Sequence, residues 1–140
     1  MSDRFFLDTN VFVYALTTSN SSKQVTASRL VKEAIESGKG IISFQVEQEF
    51  FNVALRRFAP PMTPVEADQY LSVTFRSLVT IHSSPALYGE ALQLFGKHSF
   101  SWYDALIVAA AIESQCGILY SEDFQHGQRF SGLRVVNPFL

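Results

Sequence analysis

The segment Arg4-Phe5-Phe6-Leu7-Asp8-Thr9-Asn10-Val11 decides the fold, because a short apolar run ends at an acid and a second apolar pattern follows directly. A run of this length, bounded by polar positions, is typical of a buried β-strand. Asp8 then stands where the strand gives way to a short helix, since Asp is a favoured residue at helix amino termini. A strand that leads at once into a helix is the repeating unit of an α/β domain.

The same pattern recurs along the chain. Short runs rich in Ile, Val, Leu and Phe predict the strands Arg4–Leu7, Gly40–Ser43, Leu78–His82, Gly117–Tyr120 and Arg134–Asn137. Apolar residues at helical spacing predict intervening helices that begin near Ser21, Ser43, Thr63, Ser84 and Ser101. Strands separated by helices pair in parallel through right-handed crossovers. We therefore expect a three-layer α/β domain with helices on both faces of the sheet.

Length and composition indicate one domain spanning residues 1–140. Hydrophobic residues make up 47% and charged residues 17% of the chain, which is too apolar for a disordered segment, and no apolar run is long enough to span a bilayer. The amino terminus lacks the apolar core of a signal peptide. The single cysteine, Cys116, cannot form an internal disulfide and is expected to be a small core residue. We expect a cytoplasmic protein with no membrane partner.

The overall charge does not favour nucleic-acid binding. Net charge is −2, whereas a protein that binds nucleic acid is commonly basic. The densest basic pair is Arg56-Arg57. Basic residues are common at a helix carboxyl terminus, because their charge interacts favourably with the helix dipole. Any basic surface must therefore be local.

Four acidic residues fall where the chain leaves the predicted sheet. Asp8 directly follows the first strand, and Asp123 lies in the turn after the strand Gly117–Tyr120. Glu49 lies in the second turn of the helix after the second strand, and Asp104 lies in the first turn of the last helix. In open parallel sheets, sites lie outside the carboxyl ends of the strands. We therefore expect these four carboxylates to gather at one edge of the sheet.

A cluster of carboxylates favours a hard divalent cation. Carboxylates brought together repel each other, and their pKa values rise unless a cation neutralises them. Mg²⁺ and Mn²⁺ accept oxygen ligands and keep several waters, one of which can be activated against a phosphate. Zinc is less suited, because His82, His98 and His126 are scattered without ligand spacing. The sequence therefore predicts a Mg²⁺ or Mn²⁺ site.

Each acid also has a purely structural interpretation. Asp8 would cap the helix that follows it, and Asp104 fits a capping box with Ser101. Asp123 would brace a turn, and Glu49 would simply be solvated. The functional interpretation is favoured because all four positions fall at the same edge of one predicted sheet.

Four blocks of the sequence resemble those of PIN-domain ribonucleases, above all the bacterial toxins called VapC. The blocks are Phe6–Val11, Ile42–Phe50, Ser101–Ile107 and Tyr120–Phe124. Their order and spacing cover nearly the whole chain. The resemblance implies a PIN-like fold with a five-stranded parallel sheet flanked by helices. It also implies a metal-dependent endoribonuclease that acts as a toxin, a small antitoxin partner that blocks the site, and a homodimer.

The resemblance also implies roles for individual residues. Asp8, Glu49 and Asp104 map onto the family's central acids, and Asp123 maps onto a fourth, more variable one, so that these four would hold the metal and carry catalysis. The implied supporting residues are Thr9 and Ser121, which would supply hydroxyls near the metal, and Asn10, which would orient Asp8.

Glu47 lies only two residues from Glu49 on the same predicted helix. At about 100° per residue the two project roughly 160° apart, so they cannot both point into one site. Helical geometry alone does not choose between them. The family-like spacing from Ser43 favours Glu49.

Other functional classes fit less well. A phosphoacceptor domain would have paired acids after the first strand and a lysine after the last, and neither occurs. A nucleotide-binding domain would need a glycine-rich phosphate loop, and neither GxGxxG nor GxxxxGK(S/T) occurs in the sequence. The alternative that stays open is a catalytically inactive PIN-fold module that binds RNA or protein.

Overall fold

Strands and helices alternate along most of the chain. In the computed structural model, which describes residues 2–140, the strands are β1 (Phe5–Leu7), β2 (Gly40–Ser43), β3 (Val79–Ile81), β4 (Ile118–Tyr120), β5 (Arg129–Phe130) and β6 (Leu133–Val136). The helices are α1 (Thr9–Ala15), α2 (Ser21–Ser37), α3 (Phe44–Arg57), α4 (Pro64–Val73), α5 (Pro85–Lys97) and α6 (Trp102–Glu113). A 3₁₀ turn at Phe75–Ser77 precedes β3.

The strands within residues 2–140 form one sheet in the order β3-β2-β1-β4-β6-β5. All neighbours pair in parallel except β5, which runs antiparallel to β6. The predicted α/β class and the predicted parallel strands are confirmed. The expected count of five strands omits β5, a strand of 2 residues that is too short to show a periodic pattern.

The helices begin largely where their capping residues predict. Thr63 and Glu66 form a reciprocal capping box at α4, and the hydroxyls of Ser84 and Ser101 accept the expected backbone N–H groups at α5 and α6. Ser43 does precede α3, but its hydroxyl makes no capping bond and is buried without a hydrogen-bond partner among residues 2–140.

An aromatic cluster holds α1 and α3 in a fixed position relative to each other. Phe12 of α1 and Phe50 of α3 are fully buried, and both meet Phe75 edge-to-face, at centroid distances of 5.1 and 5.3 Å. Tyr70 stacks on Phe50 at 4.9 Å. Aromatic contacts of this kind add to the free energy of burial, so the relative position of α1 and α3 is well determined.

Cys116 is buried, as expected for a small core residue. No helix within residues 2–140 has the length and apolar character needed to cross a membrane.

The close packing of α2 on β2 depends on Gly40. A Cβ atom at this position would lie 2.3 Å from Cβ and 2.8 Å from Cα of Ala34. We expect Gly40→Ala to lower the free energy of unfolding by about 1–3 kcal/mol, because overpacking forces the backbone to shift.

A matched control is Gly89→Ala in α5, where a Cβ atom meets nothing within 4 Å. That change should stabilise the protein by about 0.5–1 kcal/mol, because Ala is the better helix former. Denaturant unfolding followed by circular dichroism measures both. An unchanged midpoint for Gly40→Ala would show that α2 can move away from the sheet at little cost.

Candidate metal and nuclease site

Asp8 lies at the junction of β1 and α1 and is almost fully buried, with 5% of its surface exposed. Its Oδ1 accepts a hydrogen bond from the backbone N–H of Thr9 at 2.8 Å. Its Oδ2 accepts one from the Ser121 hydroxyl at 2.7 Å. Asp8 is therefore the helix cap that its position predicts, and it is also held in one orientation at the carboxyl end of β1.

Ser121 connects Asp8 to the turn that follows β4. Its hydroxyl donates to Asp8 and accepts the backbone N–H of Asp123 at 3.1 Å. Because β4 pairs with β1, the register places this turn directly beside Asp8. One buried hydroxyl thus sets the position of two of the predicted acids.

Glu49 and Asp104 approach from the neighbouring helices. The Thr9 hydroxyl donates to Glu49 Oε1 at 2.7 Å. Gln45 Nε2 donates to Glu49 Oε2 at 3.4 Å and to the carbonyl of Tyr103 at 3.1 Å, so it ties α3 to the residue before Asp104. The backbone N–H of Asp104 donates to Ser101, as its place in the first turn of α6 predicts.

All four predicted acids line one cleft of about 270 Å³. Its walls come from the start of α1, from α3, from α6 and from the turn after β4, and are formed by Asp8, Thr9, Asn10, Gln45, Glu49, Asn52, Val53, Asp104, Ile107 and Asp123. The cleft lies at the carboxyl ends of β1 and β4, which is where open parallel sheets carry their sites.

The family model of the PIN domain matches residues 5–129. The chain belongs to the PIN domain family. This match covers most of the chain and includes all four acids of the cleft. The PIN-like fold expected from the sequence blocks is therefore confirmed, with the short strand β5 as an addition.

Solved structures with this PIN fold include bacterial toxins. The VapC20 toxin of Mycobacterium tuberculosis, a sarcin–ricin loop cleaving toxin, is 18% identical with a TM-score of 0.66, covering 85% of this chain and 89% of that chain. A toxin–antitoxin complex from Klebsiella pneumoniae is 19% identical with a TM-score of 0.66, covering 98% of both chains.

DNA-bound VapBC from Salmonella typhimurium is 16% identical with a TM-score of 0.66, covering 96% of this chain and 97% of that chain. At identities this low, the structural similarity shows a shared fold and nothing further. No curated protein sequence matches the chain.

The electrostatics of the PIN domain cleft favour a cation. Burial, supported by the charges of Asp123 and Glu49, raises the pKa of Asp8 from 3.8 to about 7, although the bonds from Ser121 and Thr9 oppose the shift. Burial also raises the pKa of Asp104 and of Asp123, and neighbouring carboxylates add to both shifts. Within residues 2–140 no basic side chain forms an ion pair with any of the four acids.

The donor set suits a hard cation that keeps part of its water shell. All four side chains offer carboxylate oxygens, the ligand type that Mg²⁺ and Mn²⁺ prefer. As the side chains stand in residues 2–140, no three of His, Cys, Asp or Glu converge closely enough to hold an ion directly. Mg²⁺ characteristically binds through one or two carboxylates and several waters, so the residues of this wider cleft fit it.

The structure corrects one supporting role and adds a residue. Asn10 lines the cleft, but its side-chain amide donates to Glu122 Oε1 at 3.1 Å, so the expectation that Asn10 orients Asp8 is wrong. The orientation of Asp8 is set instead by the Ser121 hydroxyl and the backbone N–H of Thr9. Gln45 was not predicted, although its place one helical turn before Glu49 is a usable signal.

Glu47 lies outside the cleft that Glu49 lines. Partial burial raises the pKa of Glu47, and the charge of His82 opposes this shift. The two glutamates thus project in different directions, as the helical geometry predicts.

Proposed function

We propose that this PIN domain is a metal-dependent endoribonuclease of the VapC type that acts as the toxin of a toxin–antitoxin pair. The proposal rests on one observation above all, the convergence of four carboxylates on a cleft at the carboxyl ends of β1 and β4. An acidic cleft repels a phosphodiester unless a cation lies between them. A module that only binds RNA would gain nothing from such a cluster, which argues against the inactive alternative.

In this proposal Asp8 and Asp104 would hold the principal ion, Glu49 would share it through one of the ion's waters, and Asp123 would support a second ion. Bound Mg²⁺ or Mn²⁺ would supply an activated water and would neutralise charge on the phosphate oxygens. The acids act chiefly as ligands, although one of them can also orient the attacking water.

The remaining polar residues of the site hold these acids in place. Ser121 restrains Asp8 and the backbone of Asp123 together, and Thr9 restrains Glu49. Gln45 links Glu49 to the helix that carries Asp104. Side chains locked by such bonds lose little further freedom on binding an ion, which favours a site of defined geometry.

The proposed partner is a small antitoxin that closes the cleft with a basic side chain. An arginine suits this role, because its planar fork pairs with two carboxylate oxygens at once. The acidic cleft and the fold shared with toxin–antitoxin complexes support the proposal. By the same family resemblance we propose a homodimer that acts in the cytoplasm.

The function is tested by incubating the purified chain with a panel of structured RNAs and mapping the cut ends. We expect cleavage with Mg²⁺ or Mn²⁺ and none in EDTA, because the carboxylates alone lack a group that can neutralise the phosphate. The control is the same RNA with metal and without protein. RNA that is bound but left uncut under all metal conditions would replace the nuclease proposal with the inactive binding module.

A further inference from the structure

Glu122 lies between two residues of the site, Ser121 and Asp123, yet it is not part of the cleft lining. Both of its carboxylate oxygens are bonded elsewhere. Oε1 accepts from the Tyr14 hydroxyl at 2.5 Å and from Asn10 Nδ2 at 3.1 Å, and Oε2 accepts from Lys23 Nζ at 3.1 Å. These contacts reach Glu122 from two different helices, α1 and α2.

Lys23 is the centre of this group, which we call the Lys23 cluster and define as Asn10, Tyr14, Lys23, Glu122 and Phe139. Lys23 Nζ also donates to the Tyr14 hydroxyl at 3.3 Å. It lies 4.5 Å from the ring centroid of Tyr14 and 5.5 Å from that of Phe139, and the two rings meet edge-to-face at 5.0 Å. Hydrogen bonds and two aromatic rings thus hold one ammonium group in place.

The Lys23–Glu122 ion pair differs from the others within residues 2–140. Its side chains are 31% and 18% exposed, whereas those of Lys32 and Glu36 are 74% and 65% exposed. Exposed pairs contribute little, but removing one partner of a sheltered pair leaves an uncompensated charge.

Local helix stability does not explain a lysine at this position. Lys23 lies in the first turn of α2, where its backbone N–H donates to the capping residue Asn20. A cation in the first turn opposes the helix dipole. The lysine at position 23 therefore serves its tertiary contact with Glu122 and not the stability of α2.

We propose that Lys23 is a positioning residue for the metal site, because it holds Glu122 outside the cleft and so sets the turn that presents Asp123. Ser121 anchors one side of this turn to Asp8, and the Lys23 cluster anchors the other side to α1 and α2. Without Lys23, Glu122 would lose its link to α2 and its carboxylate would be sheltered but uncompensated, so the turn that carries Asp123 would be held less firmly. This inference rests on the proposed function, since it concerns the affinity of the site for its ion.

The test is titration of the full chain with Mn²⁺ alone, by calorimetry, in the absence of RNA. We expect Lys23→Met to weaken Mn²⁺ binding about fivefold, because the uncompensated carboxylate of Glu122 leaves its sheltered position and displaces the turn that carries Asp123. Removing a positive charge would by itself strengthen cation binding, so a loss of affinity reports the position of the turn. Lys23→Arg keeps the charge and should stay near the parental affinity. The double variant Lys23→Met with Glu122→Gln should recover most of the loss, because the amide oxygen still accepts from Tyr14 and Asn10 without carrying a charge.

Lys32→Met is the matched control, since it removes an exposed ion pair from the same helix and should leave Mn²⁺ affinity unchanged. Parental affinity in Lys23→Met, or a loss that the double variant does not recover, would overturn the positioning role. Thermal unfolding in EDTA separates a change in affinity from a loss of folded protein. If the parental chain binds no Mn²⁺, or if Asp8→Asn binds it equally well, the proposed metal site itself is wrong and the inference fails with it.

Discussion

Asp8→Asn should reduce RNA cleavage by about a thousandfold or more, which corresponds to roughly 4 kcal/mol of barrier. Asp8 is the most buried acid of the cleft, and the substitution removes its charge while nearly keeping its volume. The amide oxygen can still accept the N–H of Thr9, so the cap of α1 and the fold are retained. Asp104→Asn should have a comparable effect. Initial rates of cut-end formation at saturating Mg²⁺ measure both.

The control for these variants is Glu113→Gln, an exposed acid at the end of the helix that carries Asp104. Its cleavage rate should equal that of the parent, because it lies outside the cleft lining. Parental rates in both Asp8→Asn and Asp104→Asn, with unchanged circular dichroism, would show that the four acids do not carry the reaction.

Asp8→Asn has a second consequence for the metal-free protein. Folding raises the pKa of Asp8 from 3.8 to about 7, so the folded chain retains a proton that the unfolded chain releases between these values. The contribution of Asp8 to the free energy of unfolding therefore falls as pH rises from about 4 to about 7, and levels off above. In EDTA at about pH 8 the variant should melt at a higher temperature than the parent, and below about pH 4 the two should melt alike.

Glu49→Gln should lower cleavage at least about tenfold, or roughly 1.4 kcal/mol of barrier, while Glu47→Gln should leave it nearly intact. The two residues lie on one helix, but only Glu49 lines the cleft, where it accepts a hydrogen bond from Thr9. The substitution removes a charge that the proposed ion would share. Cleavage rates at saturating metal measure the difference.

Glu47→Gln serves as the matched control, since it is the same chemical change two residues away on α3. Equal thermal unfolding profiles would establish that both variants are folded. The reverse ranking, with Glu47→Gln the weaker nuclease, would mean that α3 presents Glu47 to the ion and that the proposed ligand set is wrong.

The sequence alone determined the order of the elements and the place of the acids. Strands such as Gly40–Ser43 and caps such as Thr63 and Ser101 carry signals within a few residues, so their prediction needs no knowledge of the fold. Parallel pairing then brings the carboxyl ends of the strands to one edge by topology alone. The positions of Asp8, Glu49, Asp104 and Asp123 along the chain therefore predict that these acids lie together, and all four line one cleft in the structure.

Only the tertiary structure decided which side chains bond to which. Asn10 and Glu122 are 112 residues apart, and Lys23 and Glu122 are 99 apart, so no local pattern predicts that they meet. The direction of each side chain depends on how α1 and α2 pack against the turn after β4. A small rotation of either helix would bring different side chains into contact with this turn. The sequence therefore determined where the site lies, whereas packing between distant segments decided how its acids are held.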